Sequence, residues 1–248
     1  MHVVSLRYAL RSSDRVTYVN PPPVEFETEA ARFRLAEGKL ACEMKAHFPT
    51  AEAARTVVEP VLRAWEVDAD LRWNRDELRF VFDVADIIDR TPAPPGVIRG
   101  AVYITGTGVL TATGTVSVHV TRGRYPEPPS DAFRLNPDAE SVLLRYRGYL
   151  DGREPLPAMA YFCRTVLGPG ESAAATYRID KAVLKKMSEL SSTRGDPSSA
   201  RKATAKQPLS GPETAWLEAA VKMLIWRLGD TRKMAAFEWI RMSDLPML

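Results

Sequence analysis

The sequence has few of the cysteine and histidine residues that form disulfide frameworks or metal centres. Its 248 residues include two cysteines, Cys42 and Cys163, and three histidines, His2, His47 and His119. Two cysteines so far apart form neither a disulfide framework nor a CxxC pair, so we expect both to be small buried hydrophobic residues. The histidines stand alone in strand-like segments, and none lies in the second half of the chain. The usual general base of an enzyme is therefore missing from that half.

Several signatures of known chemistry are also absent. The sequence has no GxxxxGK[ST] phosphate loop, no GxGxxG turn, no GxSxG elbow and no HExxH pair, and it predicts no cofactor. It has no apolar run near the roughly 18 residues that a membrane span needs. Its first residues lack the basic stretch and apolar run of a signal peptide. We therefore expect a cytoplasmic protein with no membrane partner.

The bulk composition is that of an ordinary globular protein, with 45% hydrophobic residues, 26% charged residues and a formal net charge of +3. These values exclude collagen-like and largely disordered chains, and the length allows one or two domains. The charge is uneven. Residues 1–130 carry 16 basic and 17 acidic residues, whereas residues 131–248 carry 18 basic and 14 acidic residues. An anionic partner is therefore expected on the second half.

The first half of the chain has mainly the pattern of β-strands. Val4, Leu6, Tyr8 and Leu10 alternate with their neighbours, which is typical of a strand with one buried face. Farther on, Glu37-Gly38-Lys39 separates two runs of alternating apolar residues. This arrangement predicts a β-hairpin.

A helix interrupts these strands. Thr50 is placed to cap it, and apolar residues recur at helical spacing from Ala54 to Trp65. Pro60 inside this pattern predicts a kink or two short helices. Further strand patterns cover residues 78–84, 101–105 and 115–121. This order favours an antiparallel or mixed β-sheet with one packed helix over residues 1–129.

A proline-rich connector, residues 122–129, leads to a helical half. Asn136 followed by Pro137 is typical of a helix start, and Gly168-Pro169-Gly170 ends a second helix. The remaining pattern predicts a third helix from about Glu171 through Leu190, a fourth opened by a Ser210–Glu213 capping box, and a last short helix with Phe237, Trp239 and Ile240. Residues 130–248 are thus predicted to form a helical domain of four to five helices, and the fold class is α+β.

Between the third and fourth helices lies a basic segment, residues 191–208. Its four cations, Arg194, Arg201, Lys202 and Lys206, outnumber the single acidic residue Asp196. The segment is longer than the usual connection in a helix bundle, so we expect a mobile loop. We expect the four cations to bind an anion such as phosphate. A solvated connector, kept soluble by its charge, is the alternative.

The acidic residues concentrate in the segment Asp83–Asp89, with Asp68 and Asp70 upstream. Carboxylates near a strand end are the ligands that Mg²⁺ prefers. On one extended strand, however, Asp83 and Asp89 share a face that Asp86 does not share. We therefore predict no metal site. An Mg²⁺ site formed by Asp83, Asp86 and Asp89 is the alternative.

Three classes of function remain. The leading one is a non-enzymatic binding or assembly protein whose basic helical half engages an anionic partner, either a nucleic acid or an acidic protein. A metal-assisted hydrolase centred on Asp83–Asp89 and a structural homo-oligomer without a ligand are the alternatives. Trp216 and Trp226 lie about 80° apart around the fourth helix, which suits burial within the chain or a dimer interface. The sequence favours a protein without catalytic activity.

Overall fold

The computed structural model of the chain describes residues 1–73, 77–88, 119–194, 208–231 and 238–248. The chain divides into two compact units, Met1–Asp131 and Ala132–Leu248. The first unit contains an antiparallel sheet and one helix, and the second unit is helical. The predicted α+β fold is confirmed.

The described strands of the first unit are β1 (His2–Arg11), β2 (Val16–Tyr18), β3 (Val24–Glu27), β4 (Ala31–Ala36), β5 (Lys39–Met44), β6 (Arg79–Ile88) and β7 (Val120–Arg122). Five of them form one antiparallel sheet in the order β3-β4-β5-β1-β6, while β2 and β7 form a separate parallel pair. The strand predicted at residues 101–105, and most of the one predicted at 115–121, lie outside the described residues.

The β4–β5 hairpin forms where the alternation predicts it. Ala36 pairs with Lys39, so the turn consists of Glu37 and Gly38. Their φ angles are 51° and 70°. Left-handed values at both positions define the tight turn whose twist matches that of the flanking strands. The predicted hairpin is confirmed.

β1 buries a different set of side chains from the one that strict alternation predicts. Val3, Leu6 and Tyr8 are buried, whereas Val4 is exposed. The reason is a register shift against β6 between Val3 and Ser5, which leaves Val4 as the extra residue of a β-bulge. The predicted burial of Val4 is therefore wrong.

Helix α1 (Ala51–Arg72) packs on β1 and β6. The Thr50 hydroxyl accepts a hydrogen bond from the Ala53 amide at 3.2 Å, which is the predicted cap. The helix runs through Pro60 without interruption, so the expectation of two short helices is wrong. Pro60 lies on the exposed side of α1, where water can bond the carbonyl that proline leaves free.

Trp65 is the centre of the core between α1 and the sheet. Its buried ring lies 5.3 Å from that of Phe26 and 5.1 Å from that of Phe80. The indole Nε1 donates to the carbonyl of Pro126 at 3.1 Å. A buried indole N–H needs such an acceptor, and this one ties the chain after β7 to α1.

The described helices of the second unit are α2 (Pro137–Leu150), α3 (Leu156–Val166), α4 (Gly170–Tyr177), α5 (Lys181–Thr193) and α6 (Gly211–Gly229), followed by a 3-10 turn at Met242–Asp244. Asn136 caps α2 as predicted, because its Oδ1 accepts from the Ala139 amide at 2.8 Å. Its Nδ2 donates to the carbonyl of Leu228 at 2.6 Å, which ties α2 to the end of α6. Over the ranges that the structure describes, no helix combines the length and the apolar character needed to cross a membrane.

The predicted third helix is in fact two helices. Arg178 ends α4 with a φ of 47°, and the Asp180 carboxylate begins α5 by accepting from the Ala182 amide at 2.9 Å. Ile179, between them, forms a parallel bridge with Ile240. The sequence pattern does not show this break, because a left-handed residue other than glycine at a helix end carries little signal.

The prediction of a last short helix with Phe237, Trp239 and Ile240 is wrong at Trp239 and Ile240, which the structure describes and which are not helical. Ile240 is extended, and its carbonyl accepts from the Asp180 amide at 2.9 Å. Its own amide donates to the carbonyl of Arg178 at the same distance. Pairing with the α4–α5 junction thus replaces the local helix, and Phe237 lies outside the described residues.

Candidate functional site

The structure describes both ends of the basic segment. Arg194 follows α5, and its Nη2 lies 3.0 Å from Oε1 of Glu213 in the first turn of α6. This ion pair joins the end of one helix to the beginning of the next. The other three predicted anion ligands, Arg201, Lys202 and Lys206, lie outside the described residues.

Glu213 is held by the cap of α6 as well as by Arg194. Ser210 Oγ accepts from the Glu213 amide at 3.3 Å, and Glu213 Oε2 accepts from the Ser210 amide at 2.9 Å, so the predicted capping box is confirmed. The hydrogen bond from the Ser210 amide is the main cause that lowers the pKa of Glu213, and Arg194 and Lys186 lower it further. Glu213 is therefore a fixed carboxylate, and Arg194 links two helices through it.

Lys185 is a cation on α5 that the sequence pattern did not single out. It is exposed, and it makes no ion pair within the described part of the chain. By contrast, Lys186 lies 3.1 Å from Glu189 and Lys181 lies 3.1 Å from Glu171. Among the described residues, Lys185 therefore adds a positive charge without an ion-pair partner to the helix that leads into the basic segment.

Of the acidic candidates on β6, Asp86 is engaged within the sheet. Asp86 accepts from the Ser5 hydroxyl at 2.7 Å and from the Arg7 guanidinium at 2.7 Å, and these bonds lower its pKa. Asp83 is an exposed bulge residue of β6, and Asp89 lies outside the described residues. Among the residues with described positions, no three His, Cys, Asp or Glu side chains group as metal ligands. These positions give the Mg²⁺ alternative no support.

Four carboxylates near the C-terminal end of α1 are buried, namely Glu66, Asp68, Asp70 and Glu77. Arg79 of β6 lies 2.6 Å from Asp70, and Arg122 of β7 lies 2.6 Å from Glu77. Buried charges require such partners. The first pair connects the end of α1 with β6, and the second connects β7 with the residues before β6, which makes the cluster a structural element of the first unit.

Asp68 is the least compensated member of this cluster. Its side chain is 1% exposed, and its Oδ1 accepts from Arg72 Nε at 3.0 Å. Its Oδ2 has no hydrogen-bond partner among the described atoms. Burial raises the pKa of Asp68 to about 6, although Arg72 acts in the opposite direction. Asp68 is thus a buried acid that takes up a proton in mildly acidic solution.

Both cysteines are free and fully buried, as the sequence predicts. Burial raises the pKa of the Cys42 and Cys163 thiols to about 12. The thiolate is the nucleophilic form of cysteine, so neither residue is reactive at neutral pH.

A groove of about 720 Å³ lies in the first unit beside the β4–β5 turn. Tyr18 and Tyr125 line it, with their ring centroids 4.9 Å apart. The Tyr18 hydroxyl donates to the carbonyl of Glu77, and the Tyr125 hydroxyl accepts from the Gly38 amide. Both hydroxyls are therefore used within the fold.

Two of the three histidines come together, which the sequence analysis missed. Nδ1 of His2 and Nδ1 of His47 lie 3.1 Å apart, although 45 positions separate the residues in the chain. His119 is separate, with Nε2 2.9 Å from the Thr17 hydroxyl and Nδ1 3.2 Å from the carbonyl of Asp14. The first pair forms only because β1 lies beside β5, and the pairing of distant strands has no local sequence signal.

Comparison of the chain with protein-family models, with curated proteins and with solved structures finds no match. The class of the protein is therefore defined by its own fold: an α+β chain with an antiparallel sheet unit and a helical unit.

Proposed function

We propose that this chain is a non-enzymatic binding or assembly protein whose basic helical half engages an anionic partner, a nucleic acid or an acidic protein. The observation that supports this most is the ion pair between Arg194 and Glu213. It joins the residue that follows α5 to the first turn of α6. In the sequence, the cations Arg201, Lys202 and Lys206 lie between these two residues.

The distribution of charge around this place supports the same proposal. Lys186 and Arg194 each face a carboxylate, so they contribute little net charge. Lys185 has no such partner within the described residues, and the sequence of residues 195–207 has a net charge of +2. Concentrated positive charge attracts phosphates and carboxylates and releases their counterions.

Anisotropy of fluorescent DNA, RNA and heparin with the full chain, from about 50 mM salt upward, tests this proposal. We expect the affinity to fall steeply with salt. Replacing Arg201, Lys202 and Lys206 together by alanine should flatten the slope of log affinity against log salt by about 2 to 3 units, at 0.7–0.9 per lost contact. The loss should be the same for all nucleotide sequences, because phosphate contacts position a protein and do not specify bases.

A matched control removes three cations from the sheet. Arg32, Arg34 and Lys45 each pair with a glutamate, so their triple alanine variant should keep the wild-type slope. Binding to polyglutamate without binding to nucleic acid identifies an acidic protein as the partner class. Absence of binding to any of these polyanions at about 50 mM salt, or equal slopes for the two triple variants, overturns the proposal.

The proposal places the protein in the cytoplasm and includes self-association as part of assembly. Two free, buried cysteines suit a reducing compartment. Leu144 of α2, which is 69% exposed, is a large apolar side chain available to a second copy. The solution mass of the full chain, measured by light scattering at high salt, tests self-association separately from anion binding.

A further inference from the structure

The His2–His47 pair is the one place in the described chain where two imidazoles meet. His2 is the first residue of β1, and His47 follows the end of β5. Their rings are stacked, with centroids 5.0 Å apart and planes inclined by 15°. The two Nδ1 atoms lie 3.1 Å apart. This separation is within hydrogen-bond distance, and the tautomers of the two rings decide which nitrogen donates.

The backbone holds this pair in place. The Val3 amide donates to the carbonyl of Phe48 at 3.0 Å, immediately after both histidines in the chain. Farther along, β1 and β5 pair in antiparallel register from Ser5 and Glu43 onward. The sheet therefore fixes the backbone positions from which the two imidazoles extend, as a preorganised ligand site requires.

We propose that His2 and His47 together bind a divalent transition metal ion of the zinc or copper type. A nitrogen–metal distance of about 2.0–2.1 Å with tetrahedral angles places two ligand nitrogens about 3.3 Å apart. The observed separation of 3.1 Å is within a few tenths of an ångström of that value. Binding of one metal ion by both nitrogens thus requires only a small change in their separation.

The chemistry of the pair defines the class of ion. Imidazole nitrogen suits zinc, copper and nickel, whereas magnesium and calcium prefer oxygen ligands. In the described part of the chain, no third His, Cys, Asp or Glu completes a group of ligands with these two residues. Water molecules occupy the other coordination positions, so the site exchanges its ion readily.

Isothermal titration of the full chain with zinc chloride at neutral pH tests the site. We expect one zinc ion per chain. His2→Gln and His47→Gln should each weaken binding at least about tenfold, since even an outer-shell partner is worth 10- to 100-fold. His119→Gln is the matched control, because it removes a histidine outside the pair, and it should leave the affinity unchanged.

A spectroscopic measurement on the wild type keeps the test independent of the folding of any variant. Copper(II) bound to the folded chain should show coupling to two nitrogens by electron paramagnetic resonance, and this signal should disappear in concentrated guanidinium. No zinc binding by the wild type, equal affinity in all three variants, or a copper signal that persists in the unfolded chain overturns the proposal.

Discussion

At the scale of single residues, Asp68 carries a clear consequence for stability. Its pKa is raised from the ordinary 3.8 to about 6 by burial, so the folded chain holds this proton more tightly than the unfolded chain does. Ionisation of Asp68 therefore destabilises the fold progressively between about pH 4 and pH 6, and the full penalty is present above that range. At 1.4 kcal/mol for each pKa unit, the penalty is about 3 kcal/mol at most.

Asp68→Asn removes this penalty while it keeps the shape of the side chain. We expect the variant to be more stable than the wild type by about 2 to 3 kcal/mol near pH 7.5 and by much less near pH 4. Urea unfolding at both pH values measures the difference. Asp83→Asn is the control, because Asp83 is exposed and its substitution should change the free energy of unfolding by no more than about 0.5 kcal/mol. A variant of Asp68 that is less stable than the wild type near pH 7.5 contradicts the argument.

Burial of single residues was predictable where a strand is regular. Alternation identifies Leu6, Tyr8 and Cys42 as core residues, and all three are buried. It fails at Val4, because a bulge shifts the register. The burial of Asp68 has no sequence signal, since it depends on what packs against all sides of α1.

At the scale of elements, the capping box of α6 serves both the helix and the basic segment. Ser210→Ala removes the acceptor for the Glu213 amide, and we expect a loss of about 1 kcal/mol in the free energy of unfolding. Ser141→Ala is a matched control, because the Ser141 hydroxyl bonds only the Pro137 carbonyl inside α2. Alanine is the better helix former there, so this variant should change stability by no more than about 0.5 kcal/mol.

The contribution of Glu213 to this cap should also depend on pH. Its pKa is lowered in the folded chain, mainly by the Ser210 amide. The stabilisation is therefore present above the ordinary pKa of a glutamate and is lost as the pH falls through the lowered value.

Thermal unfolding of the Ser210→Ala and Ser141→Ala variants at neutral pH measures how much the cap stabilises the fold. Equal unfolding midpoints for these two variants would contradict the role of Ser210 as a stabilising cap of α6.

Helix starts were the most predictable elements of the chain. Thr50, Asn136 and Ser210 each accept the backbone hydrogen bond that their sequence position predicts. The break between α4 and α5 was missed although Asp180 is itself a capping residue. The apolar stripe runs through Ile179 and hides the break, which the structure defines by the left-handed Arg178, the Asp180 cap and the bridge from Ile179 to Ile240.

At the scale of the whole molecule, the fold class was predictable and the candidate sites were not. A change from strand to helical periodicity near residues 122–129 is a property of local sequence, so it shows in the pattern. The Arg194–Glu213 pair and the His2–His47 pair join residues that are distant in the chain. Such pairs depend on strand order and helix packing, which no local pattern contains.

The division into two units leads to the last prediction. Residues 132–248 contain their own core, with Met159, Trp216 and Leu217 fully buried. A chain truncated to these residues should therefore be helical by circular dichroism and should unfold cooperatively. Under the proposed function it should also retain the salt-dependent affinity of the full chain for polyanions, because the basic segment lies within it. A truncated chain that is insoluble or unfolded, while the full chain is stable under the same conditions, means that the two halves share one core.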